Sequence, residues 1–337
     1  MAIRKSFFAL GLLTTLATAA YAYAPESRTA AQHAAAGALA GKDFPGLVDL
    51  CDLSKPLIVA GQRGPGAALT RPVRPGRASL PPLPPMQVFD NLYFVGNRQV
   101  SAWVLGTPAG YILIDAMNTD NQSKNIVEAG ILKLGLDPKN IKYILITHAH
   151  GDHYGGQNYI ATTYGARVAM SDADWSVLED PNQRIENPRW GPRPVRDIVL
   201  KDGDSLSVPG SSVQVRVTPG HTPGTVSLIF PVFDKGTPHK AALWGGTGFN
   251  FGRDEAKLRQ YAGSAARFGK IASDQGVDVF LSNHPNRDSG IEKMALLGQR
   301  GPRDSNPFVM GRPALKAFTV FEQCALAQAE RVKSNAE

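Results

Sequence analysis

The sequence predicts an α/β protein. Short apolar runs of β type, such as Ile141–Ile146, Ala241–Trp244 and Val277–Leu281, alternate with segments of helical spacing. The chain divides into two strand–helix halves, roughly 88–180 and 195–297. The chemically distinctive residues fall in loops at the ends of apolar strands, where α/β proteins usually place their sites.

Residues 1–22 read as a secretory signal peptide. Arg4 and Lys5 open it, Phe7 to Ala20 is apolar or small, and Ala20-Tyr21-Ala22 is a small-x-small cleavage site. Cleavage after Ala24 also fits the rule. The alternative is an uncleaved anchor, but the apolar run is shorter than the roughly 20 residues that span a bilayer. The reading is therefore export to the periplasm or medium with no stable membrane anchor. Residues 23–86 form an Ala- and Pro-rich arm: a weakly patterned, frayed helix over 23–40, then seven prolines between Pro65 and Pro85 that no regular helix or central strand tolerates. This predicts an extended arm on the surface of a catalytic domain that spans 87–337 and ends in a C-terminal helix.

Within that domain, strands are expected at Val88–Val95, Val100–Leu105 and Tyr111–Asp115. A helix follows from Asn121 to Leu134, stopped by Gly135. Ile141–Ile146, a helix from Gly156 to Tyr164 and a strand Arg167–Met170 complete a β–loop–α–β unit. Residues 180–197 are irregular, with Trp190, four prolines and four arginines. Trp190 is either a wall of the site or packing for a surface connection. Strands resume at Ser205–Val208, Val213–Val217, Thr225–Phe230, Ala241–Trp244 and Val277–Leu281. Helices are expected at Glu255–Ile271 and Pro313–Lys333.

Composition excludes some classes of function. With 43% hydrophobic and 19% charged residues, the chain has ample material for a large core. The net charge of +7 is scattered, with no basic run interleaved with aromatics, so nucleic-acid binding is not expected. The expected partner is a small molecule, and the expected state a monomer. Two cysteines, Cys51 and Cys324, lack metal-ligand spacing. In an exported chain they suggest a disulfide between the arm and the C-terminal helix, with two free thiols as the alternative.

The chemistry centres on Thr147-His148-Ala149-His150-Gly151-Asp152-His153. In an extended segment His148, His150 and Asp152 point to one side, and His153 to the other. So dense a set of nitrogen and oxygen donors suits two divalent ions such as Zn²⁺. Of seven histidines, five fall on strand-end loops: these three, His221 within Thr218-Pro219-Gly220-His221-Thr222-Pro223-Gly224, and His284 after Val277–Leu281. His33 and His239 lie in polar or small-residue stretches and are expected to be solvent-exposed.

These motifs resemble the metallo-β-lactamase superfamily over residues 87 to about 297. The resemblance implies a four-layer αβ/βα sandwich with two central sheets and a two-zinc site at one edge. It implies that His148, His150 and His221 bind the first zinc, and Asp152, His153 and His284 the second. The all-histidine pattern, with Asn91-Leu92-Tyr93-Phe94-Val95-Gly96 near the start, is similar to class B, subclass 3 (B3) lactamases. That likeness implies an exported enzyme that hydrolyses the β-lactam amide with a zinc-generated hydroxide, Asp152 orienting the nucleophile, and so confers antibiotic resistance. Glyoxalase-type thioesterases and many lactonases carry a metal-bridging Asp where this chain has Gly245-Gly246-Thr247-Gly248. The stretch also departs from the usual B3 pattern. Thr247 is either a contact for a substrate carboxylate or a turn residue. A periplasmic zinc hydrolase of another ester, lactone or amide is the alternative; a metal-binding protein without catalysis is a third reading.

Overall fold

A computed structural model of the chain describes residues 28–59 and 83–334. The signal-type segment and most of the proline-rich stretch lie outside the described residues. Two sheets face each other. The first has seven strands in chain order: β1 (Met86–Phe89), β2 (Leu92–Phe94), β3 (Trp103–Thr107), β4 (Gly110–Ile114), β5 (Ile141–Leu145), β6 (Arg167–Ser171) and β7 (Ile198–Leu200). Strands β1 to β4 pair antiparallel and β4 to β7 parallel. The second runs β12-β11-β10-β9-β8, from β8 (Ser205–Val208), β9 (Ser211–Val217), β10 (Val226–Asp234), β11 (Thr237–Trp244) and β12 (Val279–Ser282). Only its β11–β12 pair is parallel.

Strand alternation sorts the side chains into layers. Ile112, Ile114 and Leu145 of the first sheet meet Val215, Leu228, Leu243 and Leu281 of the second in the central core. Their neighbours Tyr111, Leu113 and Ile144 turn outward, under the helical segments between 120 and 179. The outer face of the second sheet, with Trp244 and Phe280, packs under the helices Glu255–Asp274 and Lys316–Ser334. Both faces of each sheet are thus covered, which is why the inner strands read as continuous apolar runs. The result is the expected αβ/βα sandwich.

Several elements differ from the sequence reading. The run Val88–Val95 is a hairpin, not one strand. Asn91 leaves the sheet edge to bond Pro231 and Phe233 of β10 through its amide, so Asp90-Asn91 break the run. The helix near 121–134 runs through Asp120–Gln122, Ser123–Glu128 and Ala129–Lys133, capped by the Thr119 hydroxyl, with π-type pairing in the middle part. Gly135 ends it at φ +75°, as expected. Helices Asp172–Glu179 and Gly290–Leu297 and the short β7 escape the sequence reading.

The arm's first part is an ordered element of the outer layer. Helix Ala30–Ala40 is closed by a capping box between Thr29 and Gln32 rather than frayed. It packs along Lys316–Ser334, and a disulfide joins Cys51 to Cys324 with 4.4 Å between their Cα atoms. Gly37 sits on that bond: a Cβ there would lie 2.4 Å from Cys51 Sγ. His33 and His239 are half-buried rather than solvent-exposed. Each has gained a partner from a distant element, Gln323 for His33 at 2.8 Å and Asp278 for His239 at 2.6 Å.

Candidate metal centre

The site is assembled at the edge where both sheets end. Leaving β5, the chain bends at Thr147–Ala149, where His150 N–H donates to the His148 carbonyl at 2.9 Å, so a tight turn and not the expected extended alternation brings His148 and His150 together. From Gly151 to Tyr154 it makes a helical turn. That turn carries Asp152 away from His148 and His150, on whose side the sequence pattern puts it, and groups it with His153. The structure therefore brings together two triads. His148, His150 and His221 form one, Asp152, His153 and His284 the other, and in each the potential ligand atoms lie within 4.8 Å of one another.

The protonation pattern of the first triad fits a cation. His148 Nδ1 lies 2.8 Å from the Gly245 carbonyl and His221 Nδ1 2.8 Å from the Gly248 carbonyl. A carbonyl only accepts, so both Nδ1 atoms carry the proton and both Nε2 atoms present bare lone pairs. Those two Nε2 atoms are 3.2 Å apart, and His150 Nδ1 is 3.0 and 3.2 Å from them. Two acceptors at that distance repel each other unless a cation lies between them. Burial pushes His148 and His221 well below the usual imidazole range and His150 down to about 4, which keeps them neutral and ready to ligate.

The second triad is oriented the same way. His153 Nδ1 donates to Asp115 Oδ2 at 2.7 Å, and its buried Nε2 has no hydrogen-bond partner among the described residues. His284 Nδ1 donates to the Gln99 carbonyl at 2.7 Å. Burial alone would lower His153, but the carboxylates of Asp152 and Asp115 raise it. Burial would raise Asp152, yet His153, His284 and His150 together hold it at about 2. An orphaned nitrogen beside an ionised carboxylate is the donor set a divalent ion takes.

Sequence reasoning missed the residues behind the ligands. Asp115, fully buried at the end of β4 with φ +60°, also accepts from Thr147 N at 2.8 Å and Thr147 Oγ1 at 2.9 Å. Asp174 binds two ligand loops at once: it accepts from Ala149 N at 2.9 Å, Thr222 Oγ1 at 2.7 Å and Gly224 N at 2.7 Å. Burial raises its carboxyl to about 6 against those donors. The available signal was an acid placed directly after an apolar strand, for Asp115, and none for Asp174. The stretch Gly245–Gly248 also acquires a reason. A Cβ on Gly246 would stand 2.6 Å from His221 Cβ, and one on Gly245 1.8 Å from the Val226 carbonyl. Only glycines let this strap lie close enough to offer its carbonyls to the histidines.

Two cavities flank the centre. One, of about 350 Å³, is mainly apolar and is lined by Val59, His150, Val177, Ile185, Pro223 and Phe251. The other, of about 510 Å³, is polar and includes Asp152, Thr247, His284, Arg189 and Arg287. Trp190 lines the polar cavity, stacks at 6.1 Å on His150 and covers Gly151, where a Cβ would lie 2.3 Å from its ring. Thr247 is buried, its hydroxyl 3.1 Å from that of Ser282. Two of the four arginines of the 180–197 loop turn back on the preceding helix: Arg196 pairs with Glu179 and Asp172, and Arg193 donates to the Leu178 carbonyl.

Comparison with known proteins agrees with this geometry. Residues 95–232 match the family model of the metallo-beta-lactamase superfamily. The subclass B3 metallo-beta-lactamase BJP-1 of Bradyrhizobium japonicum superposes with a TM-score of 0.64 at 25% identity, covering 76% of this chain and 97% of that one. The metallo-beta-lactamase FEZ-1 from Legionella gormanii gives 0.60 at 25% identity, with 76% and 96% covered. Among curated sequences, a hydroxyacylglutathione hydrolase of Acidiphilium cryptum is 30% identical over 128 residues, 38% of this chain and 42% of the relative. The chain thus spans less than half the length of that curated relative.

Proposed function

The chain belongs to the metallo-β-lactamase superfamily, and from that premise we propose that it is an exported, zinc-dependent β-lactamase. His148, His150 and His221 would hold one zinc ion, and Asp152, His153 and His284 a second. When bound, such ions supply water of pKa lowered toward about 7 and polarise the scissile carbonyl.

The chain's own residues do the rest. The carbonyls of Gly245, Gly248 and Gln99 and the Asp115 carboxylate fix the tautomers of His148, His221, His284 and His153, so these four lone pairs are aimed before substrate arrives. Asp152, the only carboxylate among the six, accepts a hydrogen bond from the attacking water and orients it. Water adds across the amide: its oxygen bonds to the carbonyl carbon, the C–N bond breaks, and a proton reaches the ring nitrogen through the open polar cavity. No side-chain nucleophile is required, so no acyl-enzyme forms.

The observation that carries this reading is the Gly245–Gly248 strap. It turns carbonyls to the ligands and brings no acid between the triads, where glyoxalase-type thioesterases have a bridging Asp. Export is supported by the signal-type segment 1–22 and by the Cys51–Cys324 disulfide, a bond of oxidising compartments. No helix among the described residues is long and apolar enough to cross a membrane.

A second reading, hydrolysis of a hydroxyacylglutathione thioester, is favoured by the names of the curated relatives. A panel of penicillin, cephalosporin and carbapenem beside S-lactoylglutathione and a lactone, with and without chelator, separates the two. Chelator-sensitive β-lactam turnover well above thioester turnover supports the lactamase; the reverse order assigns the thioesterase.

A further inference from the structure

The polar cavity contains an arginine that the metal centre does not use. Arg287 lies three residues beyond His284, its backbone N–H bonded to the His284 carbonyl at 2.9 Å. Its side chain is 23% exposed and lines the cavity together with Asp152, Thr247 and Asn250. Arginine presents five N–H donors in a rigid fork. In Arg287, Nη1 is committed: it donates to the Gly46 carbonyl at 2.7 Å and to Asp49 Oδ1 at 2.5 Å. Nε and Nη2 make no hydrogen bond among the described residues.

The partners that pin Nη1 come from the N-terminal segment, far away in sequence. Gly46 lies so close to the His284 loop that a Cβ would be 2.0 Å from the Asn286 carbonyl and 3.0 Å from Arg287 Cα. The segment is itself held down. Cys51 is bonded to Cys324, Gln328 Nε2 donates to the Leu50 carbonyl, and Lys316 pairs with Asp43 at 2.9 Å. One side of the guanidinium is therefore anchored to a stapled surface, and its other donors remain for a ligand in the cavity.

We propose that Arg287 is a specificity-determining residue that receives a carboxylate of the substrate, and that Gly46 and Asp49 are positioning residues that hold its fork in place. The assignment rests on the proposed hydrolase activity. It explains why the segment Phe44–Val59 is tied into the catalytic domain: one end fixes Arg287, and the other puts Val59 into the wall of the apolar cavity. The substrate class it selects is an anionic amide or ester, with its apolar group on the His150 side and its carboxylate on the His284 side.

The test compares matched acids and esters. Wild-type protein, Arg287→Gln and Arg287→Lys are assayed with benzylpenicillin and its methyl ester, and with S-lactoylglutathione and its diethyl ester. Loss of a charge-assisted hydrogen bond should raise KM for the acid about tenfold in Arg287→Gln and shrink the acid-over-ester preference to match, with the lysine variant in between. Calorimetric binding of benzylpenicilloate to metal-free protein should weaken by a similar factor, a readout independent of turnover. Asp49→Ala should raise KM for the acid more than it lowers kcat. Metal content and unfolding temperature of each variant are recorded to show an intact fold. If Arg287→Gln affects acid and ester alike, or leaves penicilloate binding intact, the assignment is wrong. A wild-type protein inactive on both penicillins overturns the lactamase reading instead, and the glutathione pair and the binding experiment still decide Arg287.

Discussion

His153 donates from Nδ1 to Asp115 Oδ2 across 2.7 Å, and both side chains are buried. That single bond fixes the proton on Nδ1 and leaves Nε2 bare, the form in which a histidine can ligate a metal. Asp115→Ala should therefore cut affinity for the second metal about 10–100-fold while the His148–His150–His221 site stays loaded. Metal stoichiometry after dialysis checks this. Loss of both metals together, or of neither, would contradict the assigned role.

The glycine strap makes a steric prediction. Gly246→Ala places a methyl group 2.6 Å from His221 Cβ and 2.8 Å from Thr225 Cγ2, both well packed. The expected cost is about 1–3 kcal/mol of stability, with weaker binding at the first site. Denaturant unfolding with and without zinc measures both effects; a variant as stable as wild type would show that the strap can yield.

The two ligand loops and their histidines were legible in the sequence because short-range chemistry marks them: a dense donor set after an Ile-rich strand, and two Pro-Gly pairs around His221. Asp115 and Asp174 were not, because their value lies in contacts with residues 25 to 50 positions away. The same reason accounts for His33 and His239, whose partners come from distant elements. The hairpin at Asp90-Asn91 hid inside an apolar run because Asn91 is spent on the opposite sheet. The Asp172–Glu179 helix, eight residues behind a Ser171 cap, is too short to show a clear period.

Acid should weaken the metal-free protein. The His150 imidazole titrates near 6.5 in an unfolded chain and is pushed to about 4 by burial in the folded one. A group with a depressed folded pKa contributes stability above its unfolded pKa and loses it as pH falls toward the folded value. His150 alone should cost roughly 3 kcal/mol between pH 7 and pH 4. Asp174, held at about 6, acts in the opposite sense: its contribution is lost as pH rises through 6. Unfolding of chelator-treated wild type and His150→Gln across this range isolates the histidine, since the variant should lack that part of the pH slope. Equal slopes would contradict the assignment.

Reduction should loosen the outer layer. The Cys51–Cys324 bond closes a loop of 273 residues, and its loss should remove about 2–5 kcal/mol of stability. Because the segment it holds also fixes Arg287, the Cys51→Ser/Cys324→Ser double variant should lose affinity for acidic substrates along with stability. Thermal unfolding and KM, measured with and without reductant, check the two together; a variant with lower stability but wild-type KM would separate the staple from the cavity.

The most direct test of the central claim is hydrolysis of benzylpenicillin and a carbapenem by the purified, zinc-loaded protein beside S-lactoylglutathione, repeated after chelation and after zinc is restored. The account predicts β-lactam turnover that exceeds thioester turnover, disappears with the metal and returns with two equivalents of zinc. Thioester hydrolysis without β-lactam hydrolysis, or β-lactam turnover that survives removal of the metal, would contradict it.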